Sequence, residues 1–208
     1  MEIKKKVRLL IFVLFVLLLS TINACADNNP PATIFASPAE TKKQIQVDPQ
    51  HLELAYDYLV KNRIALGLKN PRKELKLIAY QADKLDFKHI KFQQLFNNVP
   101  VWNSFLTVHI NVSDIVYRVS GQPYQDIGDI NTTPALSAKE AGEHAVQTDT
   151  TDNGNWKPEK AELCIFLDGH TGRLAYEVTV TKGFVRKFVF IDAMNGELIK
   201  TLTGTYTN

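Results

Sequence analysis

Cysteine is almost missing from this 208-residue chain: Cys25 and Cys164 are the only two. Cys25 closes a leader-like segment and Cys164 lies inside the apolar run Leu163-Cys164-Ile165-Phe166-Leu167. With Cys25 lipidated or removed, no disulfide is possible, and Cys164 reads as a small buried hydrophobe. The motifs of common catalysts are missing as well. There is no H-E-x-x-H, no G-x-S-x-G elbow, no P-loop and no G-x-G-x-x-G. The five histidines, His51, His89, His109, His144 and His170, show no ligand spacing along the sequence, and the two cysteines add no zinc site to them. Neither a metal nor a cofactor is expected, and no enzyme.

A surplus of charge is missing too. The formal net charge is +2, but residues 1–24 hold four Lys/Arg and one Glu, which leaves 20 basic and 21 acidic residues in the rest. That balance gives no support for nucleic-acid binding. A run long enough to cross a bilayer is likewise lacking. The longest, Leu9–Leu19, has eleven apolar residues, against the roughly 20 that a spanning helix needs. Three lysines and an arginine precede it, so residues 1–24 read as an export signal. Its end has two readings. Ile22-Asn23-Ala24-Cys25 resembles a lipobox, with Cys25 the lipidated first residue, and Ala24-Cys25-Ala26 fits an ordinary signal-peptidase site. The lipoprotein reading is preferred, which predicts a cell-envelope protein rather than a freely secreted one.

What is present is a pattern of short elements. Residues 25–47 are rich in Asn, Pro, Ala and Ser and read as a flexible tether. Asp48-Pro49 gives an N-cap and a first-turn proline. Leu52, Ala55, Tyr56, Leu59, Val60 and Ile64 then recur at helical steps to Leu66, where Gly67 ends the helix. Four strands are predicted at 74–80, 87–96, 99–112 and 114–120, with Asn97-Asn98 as a two-residue turn. Residues 121–136, interrupted by Pro123 and Pro134, read as a linker. Ser137 and Glu140 form a capping box for a short helix to Gln147, on which His144 reads as solvated. Four further strands are predicted at 162–167, 173–181, 184–191 and 197–202. Asp168-Gly-His-Thr-Gly between the first two of these reads as a polar hairpin connection rather than a metal loop. The expected class is α+β: two small units, each one helix packed on a four-stranded antiparallel meander.

The segment Leu85–Val101 contains His89-Ile90-Lys91-Phe92-Gln93-Gln94 and then Asn98-Val99-Pro100-Val101. It resembles the core motif of the fungalysin/thermolysin propeptide domain, in outline His-Val-Arg-aromatic-x-Gln followed by Gly-Val-Pro-Val. Leu174–Val178 and Asp192–Leu198 are similar to the PepSY domain that follows in those propeptides. The resemblance implies a propeptide-like domain over 48–120, a PepSY-like domain over 137–203 and a tail at 204–208, with the peptidase domain absent. Lys91 stands where arginine is usual, keeping charge but losing the bidentate fork. Asn98 replaces a glycine, which an αL turn tolerates. Trp102-Asn103-Ser104 replaces a glycine-containing segment, so the third strand is expected to bulge differently.

The resemblance further implies an inhibitor or folding chaperone of a thermolysin-type metallopeptidase, its protein partner, acting in trans. A peptidase-independent envelope binding module and the remnant of a truncated proenzyme are the alternatives. Candidate contacts are His89, Lys91 and Gln94 in the motif, and Thr205 and Tyr206 in the tail. A structural role for the motif residues stands beside the contact role, and His89 and Gln94 lie on opposite strand faces by parity.

Overall fold

A computed structural model describes residues 45–148, 155–169 and 171–203, which fall within one compact unit. The export signal, Cys25, all but the end of the tether, His170 and the tail with Thr205 and Tyr206 lie outside the described residues.

Helix α1 spans Pro49–Lys61 and begins as its sequence dictates. The Asp48 carboxylate accepts from the Gln50 amide at 2.8 Å, and Pro49 occupies the first turn, where a missing N–H costs nothing. The helix stops five residues before Leu66. The Asn62 side chain donates to the Tyr58 carbonyl at 2.8 Å, competing for the backbone acceptor. A separate turn follows and ends in a Schellman motif. Leu68 donates to the Arg63 carbonyl, Gly67 donates to the Ile64 carbonyl, and Gly67 takes φ +69°. Gly67 therefore terminates that added turn rather than α1 itself.

A four-residue helix, α2 (Pro71–Glu74), leads into four strands: β1 (Leu75–Ala82), β2 (Lys88–Phe96), β3 (Val99–Ile110) and β4 (Val116–Ser120). Asn97 and Asn98 both have positive φ, 47° and 67°, giving the β2–β3 turn the primed geometry that matches strand twist. Helix α3 (Ala138–Thr148) opens on the expected capping box. The Ser137 amide donates to the Glu140 carboxylate at 2.7 Å, and the Glu140 amide returns a bond to Ser137 Oγ at 3.3 Å. Four longer strands follow: β5 (Lys157–Asp168), β6 (Thr171–Lys182), β7 (Val185–Asp192) and β8 (Leu198–Thr203).

The class is α+β. The eight strands join in one sheet of order β1-β2-β3-β5-β6-β7-β8, with β4 also on β3. All pairings are antiparallel except β3 with β5, which meet in parallel at Val101 and Ile165. Antiparallel neighbours follow one another along the chain, whereas the parallel join is made across the 121–136 connection and α3.

Each half of the sheet buries one face under a helix. Ala55 and Leu59 of α1 pack on Ile90, Phe92, Leu106, Val108 and Ile110. Ala138, Ala141 and Ala145 of α3 pack on Ile165, Leu174, Tyr176, Val178 and Ile191. The three alanines bring α3 close to the sheet, and His144 is drawn in with them. Its ring occupies the space where a Cβ on Gly196 would stand, 2.8 Å from His144 Cε1. The solvated His144 expected from sequence is thus half-buried.

Candidate functional site

Strand alternation decides which motif residues share a face. On β2, Lys88, Ile90, Phe92 and Gln94 are buried on the helix side, while His89, Lys91 and Gln93 point to the helix-free side. Parity thus separates Gln94 from His89, as the sequence predicts.

The different course expected of β3 at Trp102-Asn103-Ser104 is present as a bulge, whose size and contents the sequence does not give. The turn pairs Phe96 with Val99 and Leu95 with Pro100, but Gln93 pairs with Phe105. Three extra residues of β3 are accommodated in a bulge where Asn103 takes φ +54°. Gln93 fills that bulge. Its amide nitrogen lies 2.6 Å from the Val101 carbonyl, 2.9 Å from that of Ser104 and 3.1 Å from that of Gln94. On the other face, Gln94 Oε1 accepts from Ser104 Oγ at 2.6 Å and from the Tyr124 amide at 2.9 Å. Its Nε2 donates to the Tyr124 carbonyl at 2.8 Å. The two glutamines clamp the bulge from both sides and tie it to the 121–136 connection.

The bulge swings Trp102 onto the helix-free face of the second half-sheet. There its ring meets Phe190 at 5.0 Å and Phe166 at 5.4 Å, over buried Cys164 and Ala175. Burial pushes the Cys164 thiol up, so it is inert. A groove of about 700 Å³ runs along this face across the β3–β5 join. Lys76, Lys91, Trp102 and Phe105 line one part, and Glu162, Cys164 and Glu177 another. Lys91 Nζ lies 4.3 Å from the centre of the Phe105 ring, a cation–π contact. The groove therefore offers an aromatic floor between a lysine flank and a carboxylate flank.

Glu177 is the strained acid of this groove. Burial first, and then the neighbouring Glu162 carboxylate, raises its pKa, although Trp102 donates a hydrogen bond to it. An acid whose folded pKa is raised takes up a proton on folding. Its contribution is fully present below the unfolded value and is lost as pH rises through the folded one. Glu177→Gln, which keeps an acceptor for Trp102, should therefore raise the urea midpoint at about pH 8, and the gain should fade toward about pH 4. A gain that does not change with pH would contradict this account.

The same face carries a second cluster. His89 and His109 are register partners on β2 and β3, with their Nδ1 atoms 2.8 Å apart. His89 Nε2 lies 3.4 Å from Asp83 Oδ2, and His109 Nε2 lies 2.8 Å from Ser120 Oγ on β4. Burial, with His89 and the Arg118 cation nearby, lowers the pKa of His109. Counting back from the Asn97-Asn98 turn would place Leu106 opposite His89. The bulge moves His109 there instead, which is why sequence spacing does not reveal the pair.

Of the candidate contacts, His89 and Lys91 share the helix-free face, Gln94 is buried on the other, and Cys25, Thr205 and Tyr206 lie outside the described residues.

The described residues thus form a mostly antiparallel sheet with helices on one face and an open groove on the other. Residues 73–123 match the Fungalysin/Thermolysin Propeptide Motif. The chain is 35% identical over 138 residues to thermolysin of Alicyclobacillus acidocaldarius subsp. acidocaldarius, covering 62% of this chain and 25% of that protein. It is 32% identical over 144 residues to bacillolysin of Bacillus subtilis (strain 168), covering 63% and 27%. The chain thus spans about a quarter of the length of the curated relatives it matches. The shared stretch is their propeptide region, not their catalytic domain, so what this chain shares with them is non-catalytic. Among solved structures it is similar to the Bacillus megaterium YpeB C-terminal domain, at 16% identity and a TM-score of 0.39, covering 78% of this chain and 68% of that one. No described helix is long and apolar enough to cross a membrane.

Proposed function

We propose that this chain acts in trans on a thermolysin-type metallopeptidase, as an inhibitor and/or as a folding chaperone. The observation that carries this reading is the 32–35% identity to the propeptide region of thermolysin and bacillolysin precursors. The helix-free groove supports it. A preformed surface that binds a near-native peptidase favours folding by mass action. On this reading, residues 48–120 act as the propeptide-like domain, 121–136 as the linker and 137–203 as a PepSY-like domain. Lys91 and His89 face the partner, and Gln94 holds the bulge that shapes the surface. Residues 204–208, with Thr205 and Tyr206, engage the substrate cleft of the peptidase.

The protein works outside the cytoplasm, exported by residues 1–24 and anchored at Cys25 through the tether 25–47. Lipidation at Cys25 keeps it with the envelope, where its peptidase partner emerges. The test is to add the full chain to a thermolysin-type peptidase and follow residual activity. Saturable loss approaching one chain per peptidase is expected, weakened by Lys91→Glu and by deletion of Thr205–Asn208. Digestion of the chain with activity unaffected removes the inhibitor role, and an unchanged refolding yield of the denatured peptidase removes the chaperone role.

A further inference from the structure

His109 has no part in the function proposed above, and His89 enters it only as a residue of the partner-facing surface. We propose that His89 and His109 form a two-imidazole binding site for a late first-row divalent cation, Cu(II) by preference, on the helix-free face.

The spacing of the two Nδ1 atoms is that of two neighbouring ligands of one ion. Two nitrogens in adjacent positions of a square of about 2.0 Å bonds are about 2.8 Å apart, and the two Nδ1 atoms stand 2.8 Å apart. A tetrahedral ion with the same bond lengths needs about 3.3 Å, so the rings would have to part. The Nδ1 atoms are not free to turn away, because the opposite ring nitrogens are engaged. His89 Nε2 faces the Asp83 carboxylate, and His109 Nε2 faces the Ser120 hydroxyl. Asp83 is itself fixed, its Oδ1 accepting the Leu85 amide at 2.8 Å and the Phe87 amide at 3.0 Å. A carboxylate or hydroxyl behind each imidazole is the outer arrangement that orients metal-binding histidines.

Without metal, His109 Nδ1–H donates to His89 Nδ1, His89 Nε2–H donates to Asp83, and the Ser120 hydroxyl donates to His109 Nε2, so all four ring nitrogens are satisfied. With metal, each imidazole carries its proton on Nε2. His89 then donates to Asp83 and His109 to Ser120 Oγ, leaving both Nδ1 lone pairs for the ion. The change from one state to the other is a tautomer shift of a single ring, with no net proton released. Other charges face the pair: Lys91 follows two residues along β2, and Arg118 on β4 is the register partner of His109. Both oppose a bound cation, and Asp83 offsets them. No group of three or more His, Cys, Asp or Glu side chains converges among the described residues. The protein therefore supplies two ligands and water the rest, which makes this a chelating pair rather than a structural metal centre.

The full chain in detergent, titrated with CuCl2 in a weakly coordinating buffer, tests this. One equivalent should bind saturably at micromolar copper, with an electron paramagnetic resonance spectrum showing two equatorial nitrogens. His89→Asn or His109→Asn should weaken binding at least tenfold, His144→Asn should leave it unchanged, and Asp83→Asn should weaken it on the order of tenfold. Zn(II) should bind more weakly than Cu(II). Should a variant fail to fold, the unmodified chain gives the answer by NMR: substoichiometric Cu(II) should broaden the ring signals of His89 and His109 before those of His51 and His144. Absence of saturable binding, undiminished affinity in both Asn variants, or uniform broadening of all histidines would overturn the proposal.

Discussion

Gln94→Leu is expected to destabilise the protein by about 3 kcal/mol, because it removes the partner of the buried Ser104 hydroxyl and of the Tyr124 backbone. Gln94 is 5% exposed. Its carbonyl oxygen receives both Ser104 Oγ and the Tyr124 amide, and its amide group donates to the Tyr124 carbonyl. Leucine matches its size but offers none of these bonds. An unpaired buried donor or acceptor costs roughly 1–3 kcal/mol, and at least the Ser104 hydroxyl, 1% exposed as a residue, stays inside. The urea midpoint should fall without a change in slope, since the same surface is exposed on unfolding. Gln93→Leu should cost less, because Gln93 and Val101 line the open groove, where water reaches part of what the substitution leaves behind. The comparison separates two roles for a motif residue. A Gln94 variant that kept full stability yet lost its effect on a peptidase would make Gln94 a contact residue and refute the clamp.

Asp192→Ala is expected to cost a similar amount, about 3 kcal/mol, by removing the carboxylate that organises the β7–β8 turn. Asp192 is 6% exposed. Its Oδ2 accepts from Arg173 Nη2 at 2.6 Å and Nε at 2.9 Å, and its Oδ1 accepts from the Met194 and Asn195 amides at 2.8 and 3.2 Å. A carboxylate in such a place fixes a loop and neutralises a neighbouring guanidinium at once. Asp192→Asn keeps an acceptor for the turn amides and should lose roughly half as much. In a double-mutant cycle with Arg173→Ala, the coupling should reach at least about 1 kcal/mol. Coupling near zero would show the ion pair to be incidental and the turn amides to carry the effect.

The parts of the fold that were legible in the sequence depend on local chemistry. Asp48-Pro49 and the Ser137/Glu140 box mark helix starts because capping is settled within four residues. Asn97-Asn98 marks a hairpin because both residues tolerate positive φ. Alternation marks β3 and β6 because one face of each is buried. The unread parts are those where distant segments decide. Helix α1 ends at Lys61, where Asn62 turns back on Tyr58, although the apolar spacing continues to Ile64. Short α2 forms at a Pro-Arg-Lys-Glu stretch too brief to show a period. The parallel meeting of Val101 with Ile165 spans 64 residues and leaves no local mark.

The candidate site divides along the same line. The motif around His89, Lys91 and Gln94 is visible in the sequence, and parity alone puts Gln94 on the other face. The groove needs the β3–β5 join, and the His89–His109 pair needs the three-residue bulge. Neither can be found by spacing. The departure at Trp102-Asn103-Ser104 was the available signal, since a segment without glycine must find its bend elsewhere, and Asn103 supplies it with φ +54°.

The role proposed for this chain is engagement of a thermolysin-type metallopeptidase in trans. The most direct measurement is a titration of such a peptidase with the full chain, following residual activity and, in a parallel arm, the refolding yield of the denatured enzyme. Saturation is expected near one chain per peptidase in at least one arm, with Lys91→Glu shifting the curve to higher concentration and His144→Asn leaving it in place. Activity and refolding yield that stay flat throughout the titration, while the chain remains intact and folded, would contradict it.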